Sequence, residues 1–435
     1  MTLRYAWYGD DFTGACDTLA TLAAAGARTL LFLRAPTQRQ YAAAGPLDAL
    51  GIAGTARALA PDAMAAELAP VARCFAALAP AITHYKCCST FDSAPHVGNL
   101  VLGATALRQP EHDPVMAVFG GQPSLGRYCA FGNLFASAQA GGAVHRIDRH
   151  PTMRQHPVTP MHEADLRRHL ARLGLPAVGL LDLHALDAVR PDADGLQAAV
   201  DAALAERPQA LLFDTTTAVH LQMLGRWLWD RADRRPQLVL GASSVAQAAL
   251  AHWPGARSAP SDARPVAAAR APVFLLVGSQ SPVTAMQVRN AQELFETVAI
   301  DPVVLAGDDQ ALTALARRCA GLLAQGRPVM ARTLAPTGEG PPALVVAQAC
   351  ARLLVQVLAL SPQVRRVGVA GGDTSSVALR ALDAWALGWL GHLGPGVSLT
   401  RVHADAPALD GLELVLKGGQ MGPPELFRQL LHGTH

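Results

Sequence analysis

At roughly 150 residues per domain, the 435 residues of this chain suffice for two or three domains with their own cores. Hydrophobic residues make up 51% and charged residues 16%, enough apolar side chain to offset the entropy of ordering, which excludes a disordered chain. Lys and Arg number 36 against 34 Asp and Glu, with both signs spread along the sequence, so nucleic acid is not an expected partner.

Seven cysteines (Cys16, Cys74, Cys87, Cys88, Cys129, Cys319 and Cys350) are scattered without a C-x-x-C pair. That fits neither a disulfide framework nor a zinc site, and a reducing cytoplasm is the expected setting. Asp10 and Asp11 interrupt the N-terminus early and no run reaches ~18 uninterrupted apolar residues, so neither a signal peptide nor a membrane partner is expected.

Short apolar runs alternate with Ala- and Leu-rich helical stretches, the pattern of βαβ units around a mainly parallel sheet. Leu3 to Tyr8 reads as a strand, Thr13 to Ala25 as a helix closed by Gly26, and Arg28 to Leu33 as a second strand. Further strands are expected at Ile82 to Lys86, Val115 to Phe119, Ala177 to Leu181, Ala210 to Phe213 and Leu238 to Leu240. A helix is predicted after Thr159, with that residue as N-cap and Pro160 at the first helical position. Pro254 to Pro272 holds four prolines and no apolar periodicity; it predicts a linker over 256–272 between domains at 1–255 and 273–435. Beyond it, strands are expected at Val273 to Val277, Val298 to Val304, Pro328 to Ala331, Val367 to Ala370 and Glu413 to Leu416. Helices are expected near 282–295, 309–325, 343–359 and 375–387.

Three glycine-rich turns of the second half each follow a predicted strand: Gly278-Ser-Gln-Ser281, Gly371-Gly-Asp-Thr-Ser375 and Lys417-Gly-Gly-Gln420. Glycine lets backbone N–H groups approach phosphate oxygens, and helix N-termini favour negative charge. Singly such turns serve ordinary backbone needs, but three in one domain can line one phosphate site. No P-loop sequence and no G-x-G-x-x-G fingerprint occurs.

Asp10 and Asp11 end the first strand. One acid suffices to cap the following helix, which leaves Asp10 for substrate hydroxyls or a cation. Lys86-Cys-Cys-Ser-Thr-Phe-Asp92-Ser93 joins a cation to several hydroxyls, suited to a small anionic, polyhydroxylated ligand. His145, His150, His156 and His162 lack the spacing of a helical metal-ligand pair, and anion binding by Arg149 or Arg154 fits that segment better. Asp214-Thr-Thr-Thr217 and Gly241-Ala-Ser-Ser244 read equally as helix caps.

Together these segments resemble the four-carbon acid sugar kinase family over nearly the whole chain. Gly9-Asp-Asp-Phe-Thr-Gly-Ala15 resembles its N-terminal signature, Lys86 to Ser93 its C-S-T-F-D-S segment, and His156-Pro-Val-Thr-Pro-Met161 its H-P-x-T-P-M segment. Gly278 to Thr284, Gly371 to Ser375 and Leu416 to Gln420 resemble its nucleotide-binding turns. Gly9 stands where Ala is usual, Cys87-Cys88 precede the Ser-Thr pair, and Gln280 stands where Cys is frequent. The C-S-T-F-D-S form is similar to that of the 3-oxo-tetronate kinases.

The resemblance implies an α/β fold of two domains, each a mainly parallel sheet flanked by helices, with the active site in the interdomain cleft. The N-terminal domain would bind the sugar acid and the C-terminal domain the nucleotide. The activity implied is ATP-dependent phosphorylation, with Mg²⁺, of the terminal hydroxyl of 3-oxo-tetronate, threonate or erythronate. Asp10 and Asp11 would hold substrate hydroxyls, with Lys86, Ser89, Thr90 and Arg149 near the carboxylate. Ser279, Ser281, Gly371, Gly372, Thr374, Gly396, Lys417, Gly418 and Gly419 would surround the phosphates. Asp373, the one acid within the phosphate turns, is the first choice to activate the hydroxyl or hold Mg²⁺, with Asp10 or Asp11 as the other candidates for the base. A homodimer is expected from the size and architecture. Two rival readings are a non-catalytic sugar-acid sensor and a lyase forming a Schiff base at Lys86.

Overall fold

Uninterrupted runs such as Tyr5-Ala-Trp-Tyr and Val273-Phe-Leu-Leu-Val cannot leave one face in water, so their strands are covered on both sides, as in parallel sheets. The computed structural model describes residues 3–138, 141–189, 195–253, 265–335, 340–394 and 396–434. They form two compact units, Met1–Pro260 and Ser261–His435.

In the first unit the strands are β1 (Tyr5–Gly9), β2 (Thr29–Phe32), β3 (Ala49–Ala53), β4 (Ile82–Lys86), β5 (Met116–Phe119), β6 (Gly121–Gln122), β7 (Arg127–Ala130), β8 (Asn133–Ser137), β9 (Val144–Arg146), β10 (Val178–Leu181), β11 (Ala210–Phe213) and β12 (Gln237–Gly241). A parallel sheet runs β10-β11-β5-β12-β4-β1-β3-β2, and β6 to β9 form a separate antiparallel sheet. From β1 the chain moves to β2 and β3 on one side and then to β4 on the other. The carboxyl ends of β1 and β4 are therefore a topological switch point, where open α/β sheets hold ligands. Tyr5, Trp7, Tyr8, Phe32, Phe119 and Phe213 are fully buried in this unit.

The second unit contains β13 (Val273–Val277), β14 (Glu296–Ile300), β15 (Val329–Thr333), β16 (Arg366–Ala370), β17 (Ala384–Gly394), β18 (Val397–Ala404) and β19 (Glu413–Lys417). Strands β14-β15-β13-β16-β19 are parallel, and β18 and β17 continue the sheet antiparallel. Its switch point lies between β13 and β16. The helix Ala343–Leu360 is apolar enough to cross a membrane (mean hydropathy 2.0). It buries Ala347, Cys350, Leu353, Leu354 and Val357, leaves Leu344 and Leu360 exposed and pairs its Arg352 with Asp309 at 2.6 Å.

Several expectations shift. Thr159 does not start a helix: Asp165 caps Leu166–Arg172, because the Thr159 hydroxyl donates to Asp92 at 2.9 Å. The expected strand 298–304 stops at Ile300, where Asp301 caps a helix with Pro302 at its first position. The expected helix 375–387 lies at Gly372–Ala381 and gives way to β17. Residues 256–264 of the expected linker lie outside the described residues. The following stretch belongs to the second unit, where Val266 N–H donates to Thr434 Oγ1 at 2.9 Å and Ala269 N–H to the Leu431 carbonyl at 2.8 Å.

Candidate active site

Parallel pairing sets Gly9 beside Lys86 and Lys86 beside Gly241, so the residues that follow β1 and end β4 meet at the switch point. Asp10 N–H donates to the Lys86 carbonyl at 3.0 Å. Asp11 takes the capping role for helix Phe12–Ala24, its Oδ1 accepting from Gly14 N–H, while its Oδ2 accepts from Arg57 at 3.0 Å. Asp10 is 1% exposed and neither carboxylate oxygen has a hydrogen-bond partner among the described residues. Burial and the neighbouring Asp11 charge push its pKa up to about 7, against the pull of Lys86 and Arg57.

Lys86 is 4% exposed, and among the described residues no hydrogen bond or ion pair holds its ammonium. Its Nζ lies against the Cα of Gly14, where an added Cβ would sit 1.6 Å away. Burial alone would depress its pKa, but Asp11 and Asp10 outweigh burial and raise it. A buried carboxylate and a buried ammonium, both unsatisfied, require a polar ligand or water to complete them.

Around this pair the structure adds residues with no sequence signature. Arg57, in the short turn Ala56–Ala58, donates to both oxygens of Asp92 at 2.9 and 2.8 Å as well as to Asp11, and its N–H donates to the Asp10 carbonyl at 3.1 Å. Asp92 also accepts from Thr90 and Thr159, and Thr159 N–H donates to His156 Nδ1 at 3.1 Å. The H-P-x-T-P-M segment is thus tied to the C-S-T-F-D-S segment through one carboxylate. Thr90 is committed to Asp92 and Cys88, whereas the Ser89 hydroxyl has no partner among the described residues. Arg149 is exposed on the turn Ile147–Arg149 and none of these ties reaches it. Among the described residues no cluster of metal-ligating side chains occurs at the histidines or elsewhere. Asp214, fully buried, accepts from Gly132 and Leu183 N–H at 2.9 and 2.8 Å, which gives it a backbone-fixing role, and Thr217 caps Ala218–Ala232.

In the second unit the three glycine-rich turns come together at the carboxyl ends of β13, β16 and β19. A Cβ on Gly278 would lie 2.2 Å from Thr374 Oγ1, and one on Gly419 3.0 Å from Ser279 Oγ. Gly371, at φ +129°, adopts a conformation that side chains disfavour, and its N–H donates to the Lys417 carbonyl at 2.9 Å. It precedes helix Gly372–Ala381, which has no side-chain cap and carries Asp373, exposed, in its first turn. Gly396 lies at the turn between β17 and β18, where a Cβ would meet Met421 at 2.2 Å.

The last turn is polarised. The carbonyls of Gly419, Met421, Gly422 and Pro423 all accept from interior side chains: Thr284 at 2.9 Å and Ser281 for the first, and Gln287 Nε2 at 3.1, 3.1 and 3.0 Å for the others. The N–H groups of Gly418, Gly419 and Gln420 donate to nothing among the described residues. Outward N–H groups beside an uncapped helix start make an anion receptor. Lys417 is only 2% exposed, and its ammonium turns inward to Thr284 Oγ1 at 2.8 Å, Gln287 Oε1 at 2.7 Å and the Gly419 carbonyl at 3.3 Å. Gln280 donates to the Thr333 carbonyl at 2.9 Å, tying its turn to β15.

Two family models match the units in order: a sugar-binding N-terminal domain over residues 5–249 and a nucleotide-binding C-terminal domain over residues 274–427. The chain belongs to the four-carbon acid sugar kinase family. It is 36% identical to a 3-oxo-isoapionate kinase of Paraburkholderia graminis, covering 99% of this chain and 94% of that one. It is 32% identical to a 3-oxo-tetronate kinase of Methylobacterium radiotolerans, covering 99% of both, and 31% identical to one of Cupriavidus necator, covering 97% and 95%. Solved proteins of Salmonella typhimurium LT2 (TM-score 0.81, 23% identity) and Haemophilus influenzae (TM-score 0.78, 21% identity) share the fold over 98% of each chain. The protein is a carbohydrate kinase. The relatives named here are kinases, which leaves the lyase reading of Lys86 without support.

Proposed function

We propose that this kinase transfers the γ-phosphoryl group of ATP to the terminal hydroxyl of a 3-oxo acid of the tetronate class. The observation that carries this reading is the buried, partnerless Asp10 carboxylate beside the partnerless Lys86 ammonium. One is a proton acceptor and the other a cation for an anionic substrate. Asp11 is unsuited to the base role because both its oxygens are engaged. Asp10, held near neutrality by burial, takes the proton of the attacking hydroxyl as the P–O bond forms and the bond to the leaving ADP oxygen breaks. Lys86 and the free Ser89 hydroxyl hold the acid's carboxylate end.

The N–H groups of Gly418, Gly419 and Gln420, with the start of helix Gly372–Ala381, hold the phosphates. Mg²⁺ commonly uses one or two carboxylates plus substrate phosphates. Asp373, exposed at that helix start and in no ion pair among the described residues, fits as its protein ligand, and the ion would neutralise phosphate charge. Similarity to both a 3-oxo-isoapionate kinase and 3-oxo-tetronate kinases sets the panel for the test. ADP release is measured with Mg·ATP and 3-oxo-isoapionate, the 3-oxo-tetronates, and D- and L-threonate and erythronate. Acid-dependent ADP release with a 3-oxo acid preferred is expected. Release with threonate or erythronate alone would overturn the substrate class, and silence across the panel would overturn the reading.

A further inference from the structure

We propose that Lys417, Thr284 and Gln287 are positioning residues that shape the phosphate-binding turn from inside and do not touch the nucleotide. The inference rests on the second unit being the one that binds ATP. An ammonium has three N–H donors, and Lys417 has three acceptors in reach: Thr284 Oγ1, Gln287 Oε1 and the Gly419 carbonyl. Thr284 and Gln287 are fully buried and Lys417 nearly so, which leaves none of the three a free polar group for a phosphate oxygen. Their remaining bonds explain the arrangement. Gln287 uses its carbonyl on Lys417 and its amide N–H groups on the carbonyls of Met421, Gly422 and Pro423. Thr284 takes the Lys417 N–H and donates toward Gly419 and Ser279. Across a trans peptide the carbonyl of one residue opposes the N–H of the next, so holding the Gly419 carbonyl inward turns the Gln420 N–H the other way, and the Gln287 bonds to Met421, Gly422 and Pro423 fix the segment that closes the turn. Lys417 orients the two side chains that hold the turn, and the ring of Phe427, with Nζ 5.8 Å from its centroid, closes the far side of the ammonium.

A lysine that bound phosphate directly would act alone; a lysine that positions the turn acts through Gln287. The test is the Kd for ATP by calorimetry, with KM for ATP and for the acid, in wild type, Lys417→Met, Gln287→Leu and the double variant. Both single variants are expected to weaken ATP by about tenfold, equivalent to about 1.4 kcal/mol. The double variant should lose little beyond either single one, because both break the same chain of bonds, and KM for the acid should stay within about twofold of wild type. Gln287→Leu binding ATP as wild type while Lys417→Met is impaired would overturn the proposal in favour of direct contact. Additive losses would overturn the coupling on which it rests. If Lys417→Met does not fold, Thr284→Val takes its place in the cycle with Gln287→Leu and must show the same coupling. A wild type that binds no ATP would remove the ATP reading itself, separately from a wild type that binds while the variants bind equally well.

Discussion

At the scale of single residues, the acid site is defined by what it leaves unsatisfied. Folded Asp10 keeps its proton up to about pH 7, whereas an unfolded aspartate releases it near about pH 3.9. Between those values the folded state binds more protons, so stability falls as pH rises through the window. Asp10→Asn removes that slope. Melting temperatures from pH 4.5 to 8 should show the variant gaining on wild type until about pH 7 and then holding its lead; parallel curves would contradict the burial of an unpaired charge. The same variant should lose at least ~100-fold in kcat, the scale of general-base catalysis, with KM for the acid moved little. Gly14→Ala tests Lys86. The new Cβ would overlap Nζ, the far end of a flexible side chain, so the fold should persist while the ammonium is displaced. Acid binding should weaken by roughly tenfold or more with an unchanged melting temperature, and unaltered KM for the acid would show that Lys86 is not used.

At the scale of elements, short connections hold the two sites in shape. The turn Ala56–Ala58 joins three segments because Arg57 reaches Asp92, Asp11 and the Asp10 backbone. Arg57→Met strands the Asp92 carboxylate, whose side chain is 0% exposed, and should cost about 3 kcal/mol in denaturant unfolding; Arg57→Met/Asp92→Asn should recover part of that. In the second unit Gly278→Ala places a Cβ on Thr374 Oγ1, pushing the β13 and β16 turns apart. It should weaken nucleotide binding by about tenfold, and Gly278→Ala/Thr374→Ala should restore part of it. A double variant no better than the single one would mean the clash is not the cause. The glycine turns were legible because each follows an apolar run. Arg57 was not, since one arginine in an Ala-rich stretch carries no pattern and its partners, the Asp11 and Asp92 carboxylates and the Asp10 carbonyl, are distant in sequence. Thr159 misled for a related reason: its Ser/Thr-Pro context is that of a helix start, but Asp92, unseen in sequence, claimed its hydroxyl.

At the scale of the whole molecule, the sugar-binding and nucleotide-binding family models match different units, and the proposed function accordingly divides acid and nucleotide between them. Substitutions at Asp10, Lys86 or Gly14 should leave the calorimetric Kd for ATP within about twofold of wild type, and those at Gly278 or Gln287 should leave acid affinity equally untouched. A first-unit substitution that weakened ATP more than about tenfold would refute that division. The sequence alone determined the alternation of strands and helices, the two-unit organisation and the family resemblance, because apolar periodicity and turn residues are local properties. Packing alone decided which polar groups are satisfied. Asp10 and Lys86 stand out because neighbouring charged groups such as Asp11, Arg57 and Asp92 found partners and these two did not. The Lys417 ammonium turns inward because Thr284 and Gln287 meet it there. Partner choice depends on distances across strands far apart in the chain, and no local pattern encodes those distances.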